Sequence, residues 1–191
     1  QLTNQFLLYV GSTFGIGDCV IPKDAADDIN FEVQKIIKAS LEVAEQYKAG
    51  KIIPPVDMTV DEFYEEKQMA VLDHGDEFMN IIMNSIDHDK NNLYKFIQSG
   101  AKGKKNNLLA MAAARGSIGV DGFRIAAEMN GRTSPYFLRD EINPISRGYC
   151  TNNFVKGLDP EIYLFSALEC RKELIEIALG TAVGGEMNRN A

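Results

Sequence analysis

Apolar residues recur at three- and four-residue spacing through most of this chain. Ile29, Val33, Ile36/Ile37, Leu41 and Ala44 set one apolar stripe along a helix from Asp24 to Lys48. Asp24, Asp27 and Asp28 lie in its first turns, where the helix dipole favours anions, and Gly50 ends it. Ile52-Ile53-Pro54-Pro55-Val56 must be extended or turning, because a residue before proline is pushed out of the helical region. Thr59 then caps a second helix, and Glu62 three residues later completes a capping box. That helix carries Phe63, Met69/Ala70, Leu72, Phe78 and Ile81/Ile82, and Gly75 bends it or divides it in two. Two amphipathic helices with a short proline-containing link predict an antiparallel pair over residues 24–86. Residues 1–9 read as the last turns of another amphipathic helix.

The longest uninterrupted stretch is the last one. Asp159 is a good N-cap, and Pro160 is tolerated at the first helical position. No further proline occurs up to Arg189, so the pattern predicts a rod of roughly 45 Å. Its first half is apolar on most sides (Ile162, Tyr163, Leu164, Phe165, then Leu174, Ile175, Ile177, Leu179), which predicts burial on nearly all sides. Its second half holds Gly180, Gly184 and Gly185 around Thr181-Ala182. Each interior glycine weakens a helix by about 1 kcal/mol relative to alanine. The segment therefore reads as a beam with a hinge, frayed or bent in isolation, or as an ordinary helix end.

Between these regions the texture changes. Leu93 to Ser99 is a short helix stopped by Gly100, and Asn107 to Arg115 is a helix of small residues. Gly116 to Arg124 reads as a glycine-rich turn. Around residues 132–137 and 143–149 lie aromatic and basic loops, specified enough to expect an outside partner. Neither Gly11-to-Asp18 nor Ser99-to-Lys105 has the spacing of a dinucleotide fingerprint or a P-loop, so both read as turns.

Charge refines this picture. The net charge is −7, but residues 99–156 hold 9 basic and 4 acidic side chains against 8 and 17 in residues 1–98. A free nucleic-acid-binding domain is usually basic overall, so any nucleic-acid contact is expected to be local. Cys19, Cys150 and Cys170 are widely spaced and His74 and His88 have no ligand-spaced partner, so no metal site is expected within the chain. No apolar run reaches the ~18 residues of a membrane span, and no membrane partner is expected.

The combined motifs resemble a known family. They are Ser99-Gly100-Ala101-Lys102-Gly103, Gly116, Gly122-x-Arg124, Arg132-Thr133-x-Pro135-x-Phe137, Ser146-Arg147-Gly148, Asn152, and Gly157-Leu158-x-Pro160 followed by Phe165-x-Ala167. Together they are similar to the largest subunit of multisubunit DNA-dependent RNA polymerases, of the nuclear and archaeal type. The resemblance runs along residues 93–191 and extends weakly to Gly15-Ile16-Gly17-Asp18. It implies a mainly α fold in three parts: a helical funnel region over 1–92, a loop-rich connecting segment over 93–156, and a bridge-type helix over 157–191. Thr181 and Ala182 match the pair that faces the templating base. Gly180, Gly184 and Gly185 fall at its hinge, and Arg189 matches one of a basic pair at its far end. Gly100, Lys102, Gly103, Arg124, Arg132 and Arg147 are matched motif positions with an expected structural role.

The departures are informative. Glu169-Cys170 stands where the family has Gly-Gly, Gly180 where it has Lys, and Asn190 where it has the second Arg. Ser117-Ile118 and Ala110 replace family glutamines. Such drift is expected of a divergent lineage such as a virus-encoded enzyme. The resemblance implies a piece of a longer polypeptide, inactive alone, with no catalytic residue of its own. The aspartate-rich loop that holds Mg2+ in the full polymerase, and the mobile trigger loop, are expected elsewhere. Implied partners are the remaining subunits, especially the second-largest, with template DNA and RNA. The implied location is the nucleus, or the cytoplasm or virion for a viral enzyme. The competing reading is a non-catalytic, acidic helical interaction module, which leaves the Arg-Thr-x-Pro-x-Phe and Ser-Arg-Gly loops unexplained.

Overall fold

The computed structural model describes residues 2–11, 13–100, 103–120 and 122–190, the side chain of Asn190 excepted. In chain order its elements are α1 (Leu2–Val10), α2 (Lys23–Lys48), α3 (Val60–Leu72), α4 (Gly75–Ser85), α5 (Asn92–Gln98), α6 (Lys105–Ala112), β1 (Gly116–Ser117), β2 (Gly119–Val120), β3 (Phe123–Arg124), β4 (Tyr149–Cys150) and α7 (Pro160–Asn190). Single 3-10 turns lie at Ile16–Cys19 and Pro144–Arg147. The chain is mainly α, as expected. Gly116 to Arg124, read as a turn, instead forms three strands: β1 pairs with β4, and β2 with β3 as an antiparallel hairpin. Strands of two residues are too short to leave an alternating pattern in sequence.

The chain divides into two units. The first comprises Gln1–Ile36, His74–Gly116 and Thr151–Gly157. Its core takes Ala25, Ile29, Val33 and Ile36 from one face of α2, Phe78, Met79 and Ile82 from α4, Leu93 from α5, and Leu108 and Ala112 from α6. Polar side chains tie its loops. Asp18 accepts from the backbone N–H of Gly15 and Asn92, at 2.9 and 3.0 Å. Asn153 donates to the carbonyls of Ala112 and Ala113, at 3.0 and 3.1 Å, which satisfies acceptors left over at the end of α6. That helix ends at Ala112 rather than at Arg115. His88 stacks on Tyr94 with ring centroids 4.6 Å apart, a packing role.

The second unit comprises Ile37–Asp73, Ser117–Cys150 and Leu158–Ala191. Here the last part of α2 runs antiparallel to α3. The buried Ser40 hydroxyl donates to Gln68 at 2.6 Å, and the Gln68 amide donates to the Ser40 carbonyl at 2.9 Å. One level further along, Tyr47 donates to Asp61 at 2.6 Å and stacks on Tyr64 at 4.2 Å. The capping box at the start of α3 forms, with the Thr59 N–H donating to Glu62 at 2.9 Å and the Glu62 N–H to Thr59 at 3.2 Å. The antiparallel relation thus holds for α2 with α3, while α4 is a separate helix counted with the first unit.

One hydrophobic cluster of the second unit gathers the start of α7. Ile118, Ile125, Cys150, Ile162 and Phe165 are buried together, with Val120, Phe137, Ile145 and Leu158 around them. Only the first turns of α7 enter it. After Phe165 no described residue of α7 is buried, and Leu174, Ile177, Leu179 and Met187 are exposed. The expected burial on nearly all sides is therefore corrected, because the core cluster reaches only Ile162 and Phe165 on this helix.

Gly148 shows how tightly this core is set. It has φ +97°, and a Cβ there would lie 2.5 Å from the Ile118 carbonyl oxygen and 3.0 Å from Ile125. Gly157 has the same φ of +97° with nothing within 4 Å, so it isolates the backbone contribution. Gly148→Ala is expected to cost about 2 kcal/mol or more, and Gly157→Ala about 1 kcal/mol. Urea denaturation of the two variants checks this; equal losses would show that the approach to Ile118 is not what demands glycine at position 148.

Candidate functional site

The residues expected to face the template lie on α7, whose 31 residues form one continuous α-helix. Gly180, Gly184 and Gly185 are all inside it, so the helical assignment runs unbroken across the expected hinge. Glycine accepts helical dihedrals, and once a helix is nucleated each added residue contributes a hydrogen bond against its propensity penalty. Thr181 and Ala182 are exposed, as are the three glycines and Arg189. The Thr181 hydroxyl is 3.0 and 3.1 Å from the carbonyls of Ile177 and Ala178, so it donates back to its own helix. Gly184 and Gly185 are three and four residues beyond Thr181 and share its face. An ideal Cβ at Gly180, Gly184 or Gly185 meets nothing within 4 Å. The result is an exposed, side-chain-poor strip on a continuous helix, to which a flat partner could approach closely.

The matched motif residues separate into two groups. Gly100 and Gly103 follow α5 with φ +70° and +85°, where they stop the helix and turn the chain. Lys102 lies outside the described residues. Arg124 and Arg147 are brought together by a residue the sequence did not single out, Glu65 on α3. Arg124 grips it in a fork, Nε to Oε2 at 2.8 Å and Nη2 to Oε1 at 2.9 Å. Arg147 donates Nη2 to Glu65 Oε1 at 3.2 Å and Nε to the Ile125 carbonyl at 2.6 Å. The Arg124 guanidinium also lies over the Tyr64 ring, 5.3 Å from its centroid. Arg132 is exposed and lines a cavity whose wall includes Arg147.

Burial works against every charge in this cluster. It pushes Glu65 up, but the hydrogen bond and charge of Arg124, joined by Arg147, outweigh it and hold the carboxyl below its ordinary range. Burial likewise opposes the Arg124 charge, and the Glu65 carboxylate more than offsets it. Arg147 is lowered, first by burial and then by the Arg124 charge, against the pull of Glu65. The arrangement is a positioning device: three side chains distant in sequence fix α3, the β2–β3 hairpin and the 3-10 turn of one unit.

Residues 43–150 match the family model described as RNA polymerase Rpb1, domain 4. The whole chain is similar to the DNA-directed RNA polymerase RPB1 homolog of African swine fever virus (strain Badajoz 1971 Vero-adapted), at 30% identity over 192 aligned positions. The homolog from the same virus, isolate Tick/South Africa/Pretoriuskop Pr4/1996, is 29% identical over the same span. The chain spans 13% of the length of each of these relatives.

Glu65→Gln keeps the shape of the cluster and removes the charge. It is expected to destabilise the chain by about 2 kcal/mol, less than the ~3–5 kcal/mol of a fully buried pair, because Glu65 keeps some solvent contact. Folding lowers the Glu65 pKa, so its contribution is complete above the ordinary carboxylate range, near pH ~4.3, and disappears as pH falls through the lower folded value. The gap between wild type and variant should therefore close on acidification. Urea midpoints at pH 7 and pH 3 measure it; a gap that stays constant with pH would contradict the role given to the carboxylate.

Proposed function

This chain belongs to the RNA polymerase Rpb1 family, and we propose that it works within the largest subunit of a DNA-directed RNA polymerase. In that reading α2 to α4 contribute to the funnel through which nucleotides enter, and α7 is the bridge helix that supports the template base. The activity of the assembly is nucleotidyl transfer, to which this part contributes positioning rather than a reacting group. The observation that carries the reading is the family match over 43–150 followed at once by an exposed, unbroken helix bearing Thr181-Ala182 at its small-residue strip. A side-chain-poor surface allows a planar base to approach the backbone, and the capture of the Thr181 hydroxyl by its own helix leaves the strip without a competing donor. The remaining polymerase subunits, the second-largest above all, with template DNA and RNA, are the partners this implies. Similarity to viral homologs supports a virus-encoded subunit acting in the cytoplasm or virion.

Among the described residues no group of three or more His, Cys, Asp or Glu side chains is placed to hold a metal ion. The resemblance places the Mg2+ of the assembled enzyme on an aspartate-rich loop elsewhere in the full subunit. Among the described residues no helix is long and apolar enough to cross a membrane.

The hinge reading of Gly184 and Gly185 is tested in the assembled enzyme. Replacing both with alanine is sterically free here and stiffens the helix by roughly 2 kcal/mol. If bending of this segment accompanies translocation, elongation rate and pausing should change while subunit assembly does not. Unchanged elongation in the double variant would remove the hinge role and leave a rigid support.

A further inference from the structure

Two guanidiniums share one carboxylate in the Glu65 cluster, which leaves it with a formal surplus of one positive charge. That surplus adjoins a cavity of about 200 Å³ within the second unit. Arg147 is part of its wall, and the exposed side chains of Lys48 and Arg132 also line it. Among the described residues neither Lys48 nor Arg132 makes an ion pair or a side-chain hydrogen bond. Two acids, Asp140 and Glu141, line the cavity too; Asp140 pairs with Arg139 at 3.3 Å, and Glu141 keeps its charge while accepting from the Leu138 N–H at 3.0 Å. Lys48, Arg124, Arg132 and Arg147 on the lining, set against Glu65, Asp140 and Glu141, still leave a net positive concavity in a chain whose net charge is −7.

We propose that this cavity binds a small oxyanion of the phosphate class, held by Arg147 from the wall and by Lys48 and Arg132 from the mouth. Its size argues for a compact group, since drug-sized ligands take pockets of roughly 300–1,000 Å³. The bonds to Glu65 and Ile125 use two of the five N–H donors a guanidinium carries. Three cations lining one cavity match a doubly charged oxyanion better than a single carboxylate. The charge of an anion there offsets the two influences that oppose the Arg147 charge, its burial and the neighbouring Arg124. The site is independent of the α7 surface and does not rest on the polymerase reading. Free pyrophosphate and the phosphate tail of a nucleotide share the chemistry it recognises.

Isothermal titration of the 191-residue chain with pyrophosphate, ATP and adenosine tests the proposal. The expected result is saturable one-to-one binding of pyrophosphate and ATP and none of adenosine. Lys48→Ala and Arg132→Ala are each expected to weaken it about tenfold, as loss of one charged hydrogen bond does. Arg132→Lys should retain most of the affinity, and Arg171→Ala, an exposed cation that does not line the cavity, should leave it unchanged. Equal affinity for pyrophosphate and ATP identifies the phosphate group alone as the determinant. Tighter binding of ATP that is still lost in the Lys48 and Arg132 variants supports the same site with a nucleotide as the source. Absence of saturation, adenosine binding as well as ATP, or an Arg171→Ala loss equal to that of the cavity variants would overturn it.

Discussion

Glu65 is one carboxylate between two arginines, and the second unit is arranged around that count. Arg124 enters from the β2–β3 hairpin and Arg147 from the 3-10 turn, while Glu65 stands on α3. An apolar cluster beside them runs from Ile118 to Phe165. Such a cluster supplies attraction without much direction, because hydrophobic contact is not orientational. The forked hydrogen bonds supply direction: a guanidinium meets a carboxylate in one plane and at one distance. Buried ion pairs are a weak source of net stability compared with apolar replacements of the same shape. Their value here is in fixing which surfaces meet. Gly148 is drawn into the same constraint, since its neighbour Arg147 must reach Glu65 while the backbone passes 2.5 Å from where a Cβ would stand.

That ordering determines how α7 is presented. Ile162 and Phe165 lock its first turns into the core, with Phe137 stacked on Phe165 at 5.8 Å. Beyond them Ser166, Glu169 and Lys172 are half-buried, and from Glu173 to Arg189 every residue is exposed. A helix held at one end and exposed over its second half is suited to meeting other components there. Its apolar side chains at 174, 175, 177, 179, 183 and 187 remain exposed, and its small residues are gathered at 180–185. In the proposed assembly, the large side chains would meet protein and the small strip would meet the template.

The sequence made the helical skeleton legible because its signals are local. Thr59 and Glu62 are three residues apart, and their reciprocal bonds form where the spacing placed them. Asp159-Pro160 likewise marks the start of α7. The hairpin was hidden because two-residue strands carry no period. Glu65 was hidden for a different reason. It sits among Glu62 and Glu66 on a helix whose charged positions read as a solvated face, and its partners are 59 and 82 residues away. The one available signal was Arg124 and Arg147 in otherwise apolar, loop-rich surroundings, which implies a buried acid without saying which. Burial of α7 was misjudged for a related reason: hydrophobicity all round a helix states a demand for cover but not what supplies it. The family motifs were legible because they are several and ordered, although the roles carried with them for Thr181, Ala182 and Arg189 rest on resemblance.

The most direct test of the central claim is contact between α7 and the template. A photo-crosslinking amino acid at position 182, introduced into the full-length subunit and assembled into an elongation complex stalled at a defined register, reads that contact by mapping the crosslinked nucleotide. The account predicts crosslinks to template DNA at the base that pairs with the incoming nucleotide, shifting by one position when the complex is advanced by one nucleotide. Crosslinks confined to protein, or a DNA position that does not move with register, would contradict it.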